Sequence, residues 1–207
     1  MSEMVDGEIF HVDDAQCRLG EGRHPHETNN KAEIEEYWQI QKAGKPDLYN
    51  GETVLGAAWY LDGKLLHIEC LPISYAALLH WLATPAPPDT QTSGKAVHFF
   101  ASAVLISSDG KILTGRMSEH TANAGRVYMP SGSMELCDFR DGNGDFHANM
   151  RREVLEEAGI DIEAAEAEPR FSVYSGRGIL ALFRQYRFSL SSAQMLERAQ
   201  AHLKTGT

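Results

Sequence analysis

The chain has 207 residues, 43% of them hydrophobic, and a net charge of −10, enough for one substantial domain and a smaller one. That acidity argues against a nucleic-acid polymer as the principal partner, and no apolar run approaches the length of a membrane helix. Cys17, Cys70 and Cys137 are odd in number and match no zinc spacing, and the opening residues lack the form of a signal peptide. A reducing, cytoplasmic setting is therefore expected.

Residues 1–84 carry a pattern of their own and are expected to form a small α+β domain. His24-Pro25-His26-Glu27 reads as a surface loop, because a proline between two histidines beside one acid does not make a four-ligand metal site. A helix is predicted over 29–42, with Ile34 and Trp38 on an incomplete apolar face. Strands are predicted over 53–61 and 65–71 around Asp62-Gly63, a strong hairpin dipeptide. Ser74 is a suitable N-cap for a helix to Leu82. Trp38, Trp59 and Trp81 read as packing residues of this region. Proline, threonine and small residues at 85–95 mark a linker.

The second domain is expected over 96–207. Residues 96–106 read as a buried strand, Ser107-Ser108-Asp109-Gly110 as a turn, and 111–116 as the strand returning beside it. Arg126-Val127-Tyr128-Met129 is strand-like, and Asp141-Gly142-Asn143-Gly144-Asp145 is turn-like. Two further strands are predicted over 170–174 and 179–188, flanking Ser175-Gly176-Arg177-Gly178. Ser191 or Ser192 then caps a last helix to His202.

The run Arg152-Glu153-Val154-Leu155-Glu156-Glu157-Ala158-Gly159-Ile160 carries the chemistry. At about 100° per residue, Glu153, Glu156 and Glu157 share one side of a helical turn. Val154, Leu155 and Ala158 take the opposite side, where they can dock on a core. Gly159 suits the left-handed position that ends a helix. Glutamate-rich helical faces are commonly solvated surface, supported by pairs such as Arg152 with Glu156. Three carboxylates this close also make a platform for a hard divalent cation that holds phosphates.

The run resembles the second half of the signature of the Nudix hydrolases, R-E-U-x-E-E-x-G-U with U aliphatic, with every specified position present. The first half is less regular. Pro130-Ser131-Gly132 resembles the family's Pro-Gly-Gly opening, but the segment from Gly132 to Arg152 is about six residues too long. Counting forward places Asp138 where a glutamate belongs; counting back places Gly144 there, one position from Asp145, which is equally suited to cap the helix.

The resemblance implies an α+β fold, an α/β/α sandwich around a mixed sheet, preceded here by the small N-terminal domain. That sheet commonly continues past the point where this chain stops, so a truncated C-terminus is one expectation. The implied activity is hydrolysis of the pyrophosphate bond of a nucleoside diphosphate joined to another moiety, with Mg²⁺ or Mn²⁺ as cofactor. Glu156 and Glu157 are the implied main ligands, with the backbone carbonyl of Ser131 as an extra one. Glu153 is a further ligand or the general base, Arg152 orients the carboxylates, and Gly132 permits a tight turn. Arg116 and Tyr128 are weak candidates for substrate contact.

Asp47-Leu48-Tyr49-Asn50-Gly51 and Ile73-Ser74-Tyr75 loosely resemble the N-terminal extension of Nudix enzymes that cleave UDP-sugars. The expected partner is thus a small nucleotide-type substrate such as a UDP-sugar or ADP-ribose, with no membrane, and the N-terminal region is a suitable homodimer surface. The alternative is a catalytically weak Nudix scaffold that binds nucleotides or regulates, which the irregular first half favours.

Overall fold

Two strands at the start of the chain part at Asp13 and enter different sheets. β1 (Glu8–Val12) is followed by β2 (Asp14–Leu19), the short helix α1 (Pro25–Asn29) and α2 (Lys31–Gly44). β3 (Glu52–Asp62), β4 (Leu65–Ser74) and α3 (Tyr75–Ala83) come next, and then β5 (His98–Ile106). The computed structural model describes residues 7–84, 96–117 and 125–205, so the expected linker at 85–95 lies outside the described residues. The two-residue strands β6 (Gly115–Arg116) and β7 (Val127–Tyr128) form a separate ribbon. β8 (Ser131–Ser133), β9 (Phe139–Arg140) and β10 (Asn143–Gly144) lead into α4 (Phe146–Ala158). β11 (Glu166–Ala167), β12 (Phe171–Gly176), β13 (Ile179–Arg187) and α5 (Ser192–Lys204) are the last described elements of the fold, which is α+β.

One mixed sheet has the order β1-β12-β13-β5-β8, with β11 also on β13; β5 and β13 run parallel and the other pairs antiparallel. Along β5, Phe99, Ala101, Ala103 and Leu105 are buried on one face. They share a core with Phe146, Met150 and Val154 of α4 and Met195 and Ala199 of α5. The second sheet has the order β3-β4-β2-β10-β9. Val54, Trp59, Leu66, Ile68 and Cys17 of that sheet belong to the same core, while Leu55 and Ile73 join Ile34 and Trp38 of α2 in a second cluster. Residues 7–84 therefore contribute β1 to the first sheet and share the main core.

Local chemistry accounts for the element ends. Ser74 accepts from Ala77 N to cap α3, and Ser191 with Gln194 forms a capping box on α5. Arg177 and Gly178, both at positive φ, make the two-residue turn between β12 and β13.

Three expectations need correction. His24 to Glu27 is not a loop: Pro25 opens α1, and His24 is its buried N-cap, accepting from the His26 N–H. Burial and the neighbouring His26 lower the His24 pKa to about 4. The segment 111–116 returns along β5 only briefly: Ile112 bridges Ile106 and Leu113 N donates to Leu105 O at 3.1 Å, but β8 holds that edge at Phe100–Ser102, and the end of the segment pairs with β7. Leu155 is 37% exposed rather than docked; it lies about 100° from Val154, at the margin of the buried stripe.

Candidate active site

α4 begins at Asp145, whose Oδ1 accepts from Ala148 N at 3.0 Å, and ends at Gly159 with φ +61. His202 of α5 lies across that end, bonded through Nε2 to the Glu156 carbonyl oxygen at 2.8 Å. Phe146, Met150, Val154 and Ala158 are buried on the core stripe, which turns the glutamates toward β8.

Glu153 is the most enclosed of the three, with its side chain 12% exposed, and Arg152 Nη1 lies 2.8 Å from its Oε1. Its carboxylate lies against the backbone of Gly132, where an added Cβ would overlap it. Burial, and then the charges of Glu157, Glu156 and Glu135 against that of Arg152, push its pKa up to about 7. Glu157 Oε2 accepts from Ser131 N at 3.3 Å. Partial desolvation and Glu156 raise its pKa while the Ser131 N–H opposes them. Glu156 faces solvent, 3.4 Å from Arg152 Nη1.

Of the two uncertain carboxylates, Asp138 is the buried one. Arg152 meets it through Nε at 3.3 Å and Nη2 at 3.0 Å. Asn149 Nδ2 donates to it at 3.0 Å and Glu135 N at 2.8 Å. A carboxylate so engaged anchors Arg152, which in turn reaches Glu153. Asp145 is engaged as the helix cap.

The turn-like stretch between Gly132 and Arg152 is a small hairpin. Asp141 and Gly142, at φ 49 and 74, turn β9 into β10, and β10 adds to the N-terminal sheet by pairing Asn143 with Arg18 and Gly144 with Cys17. The hairpin thus ties the loop before α4 to β2.

The structure brings Arg152, Glu153, Glu157, Asp138, Ser131 and Gly132 together. It does not bring Arg116 or Tyr128 into contact with the glutamates among the described residues: they lie on the β6–β7 ribbon, where Arg126 reaches the Tyr128 hydroxyl at 3.4 Å. Ser131 meets Glu157 through its N–H. Asn149 is a further member of the network, donating also to Ser133 O at 3.3 Å. Its place one turn before Glu153 on the same helix face is the signal by which the sequence offers it. Asn149 Oδ1 is buried without a hydrogen-bond partner among the described residues.

Among the described residues no three His, Cys, Asp or Glu side chains converge as a metal site. The donors nonetheless fit a hard cation in kind. Glu153 and Glu157 both flank β8, and the charge of Glu157 raises the cost of ionising Glu153. No helix among the described residues is long and apolar enough to cross a membrane.

No family model matches this chain, and no curated protein matches it in sequence. Among solved structures, the MutT protein from Methanosarcina mazei Go1 is similar to 45% of this chain at 20% identity, with a TM-score of 0.33. The match spans 64% of that protein, just under two thirds of its length.

Proposed function

We propose that the chain is a divalent-metal-dependent hydrolase of the Nudix type. Its substrate is a nucleoside diphosphate joined to another moiety, such as a UDP-sugar or ADP-ribose, and water cleaves the pyrophosphate into two phosphorylated products. The observation that carries this reading is the intact Arg152-to-Ile160 run, folded as a helix that sets Glu153 and Glu157 against Ser131 and Gly132. Glu157 and Glu156 would hold Mg²⁺ or Mn²⁺, with Glu153 as a further ligand or the base. The bound ion supplies charge neutralisation for phosphate oxygens and acidifies water. Arg152, anchored on Asp138, fixes the Glu153 carboxylate in place. Burial raises the pKa of Glu153 in the metal-free site, and a dication held beside it would lower that pKa and favour the carboxylate form that a ligand or base needs. The small-molecule substrate, a cytoplasmic setting and a homodimer belong to the same proposal.

A second reading, a nucleotide-binding or regulatory scaffold, is favoured by Arg152 occupying Glu153. Glu157→Gln separates the two. With Mg²⁺ and a panel of UDP-glucose, ADP-ribose, NADH, diadenosine polyphosphates and nucleoside triphosphates, a hydrolase should lose roughly 10²–10³-fold in turnover with its melting temperature kept. A scaffold shows no turnover to lose and binds nucleotide with either residue.

A further inference from the structure

A cavity of about 340 Å³ opens beside the carboxylates, and half of its wall comes from the N-terminal part of the chain. Tyr49, Glu52 and Tyr75 face Gly132, Glu135 and Glu153 across it. The two walls are fastened together: Thr53 Oγ1 donates to Met134 O at 3.1 Å in a buried bond. The Tyr49 side of the cleft is fastened to α3 as well, through Tyr75 N to Gly51 O at 2.9 Å and Ala76 N to Asn50 Oδ1 at 2.8 Å. Tyr75 is held edge-on against Trp38, with ring centroids 6.5 Å apart. The Tyr49 ring folds back over Gly51, where an added Cβ would lie 3.2 Å from its Cε1, and it is 82% exposed.

The lining has a definite chemistry. Three carboxylates and two tyrosines line it, and no Lys or Arg does so among the described residues. Behind this wall Glu52 is paired with Arg23 and Glu153 with Arg152, so the cleft offers carboxylate acceptors without a large net charge. It suits an uncharged ring bearing hydroxyls, which donate to carboxylate oxygens while the ring lies on an aromatic face. Its volume lies at the low end of the roughly 300–1,000 Å³ range of small-molecule sites, enough for one such ring system rather than a whole dinucleotide.

We propose that this cleft is the subsite for the uncharged, hydroxylated end of the substrate, a nucleoside or hexose attached to the phosphate, with Tyr49 as its ring platform and Glu52 and Glu135 as acceptors for its hydroxyls. The phosphate end is assigned by the hydrolase reading above, on which this inference rests; the ring end is assigned by the cleft alone.

The test is saturation-transfer NMR on the full chain with three probes: uridine 5′-monophosphate, adenosine 5′-monophosphate and glucose 1-phosphate. Tyr49 is exposed, so Tyr49→Ala should leave the fold intact, which the melting temperature checks. We expect ring-proton saturation for at least one probe, a roughly tenfold or greater weakening in Tyr49→Ala, and retention within about twofold in Tyr49→Phe. A nucleotide signal or a glucose 1-phosphate signal with that dependence identifies which ring the cleft takes. Equal affinity for wild type and Tyr49→Ala, or no binding of any probe, overturns the subsite even if the chain hydrolyses the substrate panel. Tyr49-dependent binding without turnover leaves the subsite standing and removes the hydrolase reading.

Discussion

The helix α4 and the loop that precedes it both position charged groups around Gly132, and they do so by different physics. In α4 the spacing of Glu153 and Glu157 is fixed by 3.6-residue periodicity, with Val154 and Ala158 seating the opposite stripe in the core. In the loop, Asp138 is placed by partners distant in sequence. Arg152 and Asn149 hold its carboxylate, and the β9–β10 hairpin that follows is paired to β2. The helix is a local solution and tolerates context, whereas the loop depends on two sheets being assembled around it.

The sharpest way to break this comparison is to remove Asp138. Asp138→Ala takes the partner from Arg152, Asn149 Nδ2 and Glu135 N at once, in a place where the Asp138 side chain is only 4% exposed. Losing one partner of a buried ion pair costs about 3–5 kcal/mol, and urea denaturation should show a loss in that range. Asp138→Asn keeps the shape and one acceptor and should lose less. A cost below about 1 kcal/mol for the alanine variant would mean that the loop is held by its hairpin and not by the ion pair.

The helix side has its own signature in pH. Glu153, at about 7 rather than 4.5, holds its proton more tightly in the folded chain than in the unfolded one. Its contribution to stability is therefore full below the unfolded value and is lost as pH rises through about 7. In chelator, Glu153→Gln should gain on wild type by about 2–3 kcal/mol between pH 5 and pH 8, as read from denaturation midpoints. A constant difference across that range would mean that Arg152 fully compensates the charge of Glu153.

What was legible in the sequence follows the same division. The glutamate face of α4, its glycine stop, the hairpin at Asp62-Gly63 and the caps at Ser74 and Ser191 rest on near neighbours, and each forms as its spacing dictates. The choice between Asp138 and Asp145 was not legible. Both carboxylates suit their local surroundings, and only the fold reveals which of them Arg152 reaches. β2 carries a readable alternation, Ala15 and Cys17 buried against Asp14, Gln16 and Arg18 exposed, yet nothing local says that it lies between β4 and β10. β10 has two residues and no pattern at all. The cleft of Tyr49, Tyr75 and Gly132 joins segments that no periodicity connects. The returning strand at 111–116 is cut short for a related reason: hairpin chemistry is present at Ser107–Gly110, and Ile112 and Leu113 begin the pairing, but β8 holds the same edge of β5 at Phe100–Ser102.

The smallest expected effect separates the two aspartates. Asp145 sits seven positions after Asp138, at the start of α4, and gives one hydrogen bond, from Ala148 N at 3.0 Å, in an exposed position. Water replaces such a bond cheaply, so Asp145→Ala should cost about 1 kcal/mol, the usual value for losing an N-cap, with turnover of any panel substrate changed less than about twofold. The ratio between the two alanine variants is the informative quantity. A several-fold larger loss for Asp138 assigns the anchoring of Arg152 to the loop. Comparable losses would instead place the weak point at the junction of β10 and α4, where the hairpin hands the chain to the helix.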